Sequence, residues 1–115
     1  MTTSPSPKPE LCAAEYTATR VPVPDGPTKI FIAAQGVHSV SGYRVFFHRG
    51  QIDVYPPEFS LWHIKPAGVS LDVLTPFTEL TAFDETKRVE SVVVVDATGR
   101  HQVPVKALGD NLLHK

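Results

Sequence analysis

The chain has 115 residues, 42% of them hydrophobic and 20% charged, with a formal net charge of −1 and one cysteine. That length holds one domain and one core. The near-neutral charge lacks the basic excess of a nucleic-acid binder, and a lone cysteine excludes both an internal disulfide and a Cys-based zinc finger.

Residues 1–9 alternate proline with Ser, Thr and Lys, which predicts a disordered tail with little to bury. The same stretch has no apolar h-region, so the sequence as given carries no secretory signal. No apolar run approaches the roughly 18 residues of a membrane span. A soluble chain, cytoplasmic or held within a larger assembly, is expected, with no membrane or nucleic-acid partner.

A single β-domain is predicted over residues 10–108. Strands are expected near residues 13–22, 28–34, 37–48, 51–56, 59–64, 69–75, 77–83, 88–96 and 100–106, all rich in β-branched and aromatic residues. Turns separate them at Pro24-Asp25-Gly26-Pro27, Lys65-Pro66-Ala67-Gly68 and Asp96-Ala97-Thr98-Gly99, where Pro presets φ and Gly accepts positive φ. His48-Arg49-Gly50 is read as closing a hairpin between Tyr43–Phe47 and Gln51–Tyr55. Thr78–Lys87 has room for a turn or two of helix, and residues 109–115 read as a C-terminal tail or short helical turn. Eleven prolines argue against long helices. The fold class is therefore all-β: an antiparallel sandwich, immunoglobulin-like or jelly-roll-like, or a small barrel.

Several strands are apolar on both faces, above all Val92-Val93-Val94-Val95, Ile30-Phe31-Ile32 and Val45-Phe46-Phe47. A strand of a sandwich has one inner face, so the outer apolar residues need another cover. A partner chain is the cover expected, with Phe31, Phe46, Val92 and Val94 as the contact residues. The function this supports is a non-catalytic binding or structural module acting through protein–protein contacts, as a homo-oligomer or with a protein partner.

Catalytic signatures are missing. There is no phosphate-binding glycine loop, no H-E-x-x-H, no C-x-x-C and no G-x-S-x-G; no catalytic residue and no cofactor are assigned. The single cysteine, Cys12, fits neither the Cys–Trp–Cys spacing of immunoglobulin domains nor a C-terminal cupredoxin ligand set, and reads as a small buried hydrophobe. Two alternatives remain. Strand parity puts His63 with Phe59 and Leu61, and His101 with Val103 and Val105, so a small metal- or ligand-binding protein or enzyme could use a His63–His101 pocket, with Asp53 supplying a carboxylate. Trp62, Tyr43 and Tyr55 could instead line a carbohydrate-binding groove.

Overall fold

A computed structural model describes residues 7–51 and 54–108. Eight strands form: β1 (Glu10–Leu11), β2 (Glu15–Val21), β3 (Lys29–His38), β4 (Arg44–Arg49), β5 (Glu58–Ile64), β6 (Thr75–Asp84), β7 (Ser91–Asp96) and β8 (Gly99–Ala107). All belong to one hydrogen-bonded path, β1-β5-β7-β8-β2-β3-β6, with β4 pairing β5 as well. Because β4 pairs Phe59–Ile64 while β1 and β7 take Trp62–His63 and Glu58–Ser60, β4 must lie on the opposite side of β5. The sheet curls until β4 and β6 face each other without a ladder between them, giving a half-barrel.

The all-β expectation holds, and there is no helix among the described residues. The antiparallel sandwich is corrected in two respects. β2–β8 and β5–β7 are parallel pairs, and the strands make one curled sheet rather than two stacked ones.

Alternation along the strands decides what fills the curl. Ile30, Ile32 and Ala34 of β3, Phe59 and Leu61 of β5, Val92 and Val94 of β7, Val103 of β8, Ala18 of β2 and Phe83 of β6 form the buried core with Cys12 and Val89. Val45 and Phe47 of β4 pack against it. Val92 and Val94 are fully enclosed, opposite Val103 and His101, and so are core residues within one chain rather than contact residues. Val93 points the other way yet is only 3% exposed. Its cross-strand neighbours are Glu58 and Gln102, and Arg100, two pairs further along, bridges to Glu58. Long polar side chains in these positions can lay their apolar stems over a neighbouring valine. Two-sided apolarity here is therefore satisfied inside the chain.

Other expectations shift with the topology. The hairpin through His48-Arg49-Gly50 does not form. β4 pairs β5 instead, and the Gly50 amide donates to the Glu58 carbonyl at 2.8 Å. Residues 69–74 make no strand although their alternation predicts one, and Thr78–Lys87 is mostly the edge strand β6 rather than helix. The expected C-terminal helical turn at 109–115, and most of the N-terminal tail, lie outside the described residues. The Asp96–Gly99 hairpin turn is present, with Gly99 at φ 127° where a side chain would be strained.

Candidate metal centre at one end of the half-barrel

The polar residues inside the curl segregate to its two ends. One end is closed by Arg20 of β2, whose Nε and Nη2 donate to the two oxygens of Glu85 at 2.9 and 3.0 Å. Arg20 also donates to the Val89 carbonyl, and Glu85 accepts the Val89 amide, so the pair clamps the β6–β7 connection. The Arg20 guanidinium holds the Glu85 carboxyl below the usual carboxylate range. Beside it, Arg49 of β4 lies over the rings of Phe59 and Phe83 at 5.5 and 5.0 Å.

The opposite end holds histidines and a thiol. Inward parity along β3 carries Ile30, Ile32 and Ala34 on to His38, only 8% exposed at the strand's end. Parity along β5 carries Phe59 and Leu61 on to His63, which pairs Val45 of β4 and Glu10 of β1. Cys12 follows β1 directly. Its amide donates to the Leu61 carbonyl at 2.9 Å and its carbonyl accepts the Ala97 amide at 2.8 Å, which wedges it between β5 and β7.

These three elements bring Cys12 Sγ, His38 Nε2 and His63 Nδ1 within 4.8 Å of one another. His38 Nε2 and His63 Nδ1 are 2.9 Å apart, a hydrogen bond in which one ring supplies the proton. Cys12 Sγ sits 3.9 Å from His38 Nε2. Aromatic rings fix the imidazoles. Tyr43 stacks on His38 with centroids 4.0 Å apart and planes 4° apart, and Phe77 covers it at 4.6 Å. Gly36 makes this possible, because a Cβ there would meet the Phe77 ring at 2.6 Å.

Burial sets the protonation of the cluster. It lowers the His38 pKa, with the neighbouring His63 adding to the effect. It also lowers that of His63, where Glu10 opposes and Lys65 assists. Both imidazoles are therefore held neutral, the form that ligates metal. Burial raises the Cys12 thiol, and the negative charge of Asp96 adds to it.

A second cluster adjoins the first. The Asp96 carboxylate accepts Tyr16 Oη at 2.5 Å, the Thr98 amide at 2.8 Å and Thr98 Oγ1 at 2.7 Å, and pairs with His101 Nε2 at 2.9 Å. Burial works to raise the Asp96 carboxyl, but the bonds from Tyr16, Thr98 and His101 outweigh it and hold the group low. The same burial and the Asp96 charge raise Tyr16 far above its ordinary value. His101 is thus committed to Asp96 and Thr98.

The residues expected at a site are redistributed accordingly. The His63–His101 pairing is corrected: His63 meets His38 and Cys12, while His101 bonds Asp96. Asp53 lies outside the described residues. The carbohydrate triad does not assemble either. Trp62 faces out of β5 beside Phe46, Tyr43 turns in against His38, and Tyr55 bonds the Arg88 carbonyl and the Glu90 amide near the Arg20–Glu85 end. Of the contact candidates, Phe31 (37% exposed) and Phe46 remain on the outer face. His38 could have been found by extending the β3 alternation, whereas nothing in the sequence brings Cys12 to it. No protein-family model, curated protein or solved structure matches this chain.

Proposed function

We propose that this chain is a small metal-binding β-domain that holds one zinc-class ion through Cys12, His38 and His63. The observation that carries the reading is the convergence of one thiol and two neutral imidazoles from three separate strand regions. A mixed sulfur and nitrogen set suits Zn²⁺ over the hard cations. Ligand atoms around a tetrahedral zinc stand about 3.3–3.6 Å apart, from bond lengths of about 2.0–2.3 Å. The Cys12–His38 separation of 3.9 Å is close to that, and the 2.9 Å His38–His63 contact must open by about half an ångström. Glu10 pairs opposite His63 but its carboxylate lies 3.8 Å from Lys65 Nζ, so water is left to take the fourth position. The ion would fasten the chain just after the two-residue strand β1 to the sheet, which gives it a binding and structural role.

Equilibrium dialysis of the full chain against Zn²⁺ tests this. One tightly held ion per chain is expected, reduced at least tenfold in affinity by Cys12→Ser or His63→Gln. A folded chain that takes up no zinc overturns the reading.

A second reading rests on a different observation. Val69, Leu71, Val73 and Leu74 are 101%, 68%, 51% and 73% exposed, in a segment that alternates like a strand but forms no ladder, tied down by hydrogen bonds between Leu71 and Ser41. Such a surface fits self-association of a chain carrying almost no net charge to oppose it. Light scattering that gives the monomer mass at all concentrations overturns this second reading.

A further inference from the structure

Where the ends of β4 and β6 face each other without a ladder, the curl opens on a cavity of about 400 Å³ beside the Arg20–Glu85 pair. Arg49 of β4 and Phe83 of β6 line it, and Val54, Tyr55, Pro57 and Val89 supply an apolar wall. Val54 and Tyr55 are 37% and 60% exposed there. Lys87, in the β6–β7 connection, lines the cavity as a second cation.

The charges around this mouth are not evenly matched. Its carboxylates are engaged: Asp84 accepts Lys29 Nζ at 2.6 Å, Glu85 takes both arms of Arg20, and Glu90 accepts Arg88 Nε at 2.7 Å. Arg49 and Lys87 have no carboxylate partner among the described residues. The Arg49 guanidinium is nevertheless held in place, 5.5 and 5.0 Å from the centroids of Phe59 and Phe83. Ring contacts of this kind cover the face of the guanidinium and satisfy none of its in-plane N–H donors.

We infer that this cavity binds a small organic carboxylate with an apolar body. The guanidinium fork matches the two oxygens of a carboxylate, and a group already oriented loses little freedom when it forms both bonds. The volume lies in the range of small-molecule sites, which are mostly apolar with a few placed polar groups. The wall of Val54, Tyr55, Pro57 and Val89 would be covered by an apolar body and left wet by an inorganic anion. A phosphate is commonly cradled by convergent backbone amides at a helix N-terminus or glycine-rich loop. Among the described residues there is no helix, and no glycine lines the cavity. Charge and shape together therefore favour the carboxylate.

The experiment titrates phenylacetate into the full chain labelled with ¹⁵N, following the backbone amides of Thr86, Lys87 and Val89. Phenylacetamide, acetate and phenyl phosphate are titrated in parallel. Saturable shifts are expected with phenylacetate, and binding about tenfold weaker or less with the neutral amide and with acetate. Arg49→Gln should weaken phenylacetate about tenfold, and Lys87→Gln, at an exposed position, by a smaller factor. An amide spectrum matching the parent away from the cavity shows that each variant is folded. No saturable shift with phenylacetate overturns the proposal, as does binding indifferent to Arg49→Gln in folded protein. Equal binding of phenylacetamide overturns it by showing that the charge is not read, and equal binding of acetate by showing that the apolar wall is not used. Tighter binding of phenyl phosphate overturns the carboxylate assignment and gives the cavity to phosphate esters. None of these outcomes bears on zinc, whose proposed ligands Cys12, His38 and His63 stand at the opposite end of the half-barrel.

Discussion

The two ends of the half-barrel solve the same packing problem with opposite chemistry. At one, Arg20 and Glu85 meet in a bidentate pair, side chains 15% and 7% exposed, and every neighbouring bond is charge-assisted. At the other, Cys12, His38 and His63 are neutral and share one good hydrogen bond, while the thiol's partners stand at 3.6 and 3.9 Å. The Arg20–Glu85 pair is internally complete, so adding anything to it would break bonds. The second end turns soft donor atoms toward one another, its imidazoles held by Tyr43, Phe77 and their mutual bond but its thiol only weakly engaged, which is the arrangement the proposed cation would use. The Asp96 cluster sharpens the contrast: its buried carboxylate is saturated by Tyr16, Thr98 and His101.

The largest effect separating the two ends should come from Glu85→Ala. It strands the Arg20 guanidinium and frees the Val89 amide, at a cost of about 3 kcal/mol of global stability, measurable by urea unfolding. Zinc affinity per folded chain should not change. Next in size is the reverse experiment. Zinc at a hundred times its dissociation constant should stabilise the chain by about 2.7 kcal/mol, an increment absent in Cys12→Ser. If Glu85→Ala abolished zinc uptake in folded protein, the independence of the ends would be refuted.

Acid should act on the complete end and the Asp96 cluster. The folded Glu85 and Asp96 carboxyls titrate below their unfolded values. Each therefore contributes stability that is fully present above the ordinary carboxylate range and is lost as pH falls through the depressed folded value. Unfolding followed below about pH 4 should steepen in the parent chain and be shallower in Glu85→Gln. The smallest effect is expected on the outer face: Leu80→Thr, at a position 61% exposed, should change stability by less than about 0.5 kcal/mol.

Alternation and turn chemistry made much of the fold legible before the structure. Asp96 and Gly99 mark the β7–β8 hairpin, and Phe59, Leu61 and His63 share a face as parity requires. What alternation could not give is the neighbour of each strand. Gly50 looks like a hairpin turn in sequence, but β4 finds its partner in a strand that begins only at Glu58, because Phe47 and Val45 must face the core beside Leu61 and His63. Val92 and Val94 looked like an outer face for the same reason: their cover, Val103 and Phe59, arrives from an antiparallel and a parallel neighbour that no local pattern announces. The Cys12–His38–His63 cluster is half legible in the sequence. His63 is on the expected face, but Cys12 follows a two-residue strand too short to carry a period, and only Leu61 of β5 and Ala97 just past β7 together fix it in place.

The most direct test of the central claim is the optical spectrum of the full chain titrated with Co²⁺ as a reporter for zinc. The account predicts intense tetrahedral d–d bands and a thiolate-to-cobalt charge-transfer band at one equivalent. The charge-transfer band should vanish in Cys12→Ser, and the d–d bands should weaken in His38→Gln and His63→Gln. A folded chain showing only the pale spectrum of aqueous cobalt, or a bound spectrum unchanged in Cys12→Ser, would contradict it.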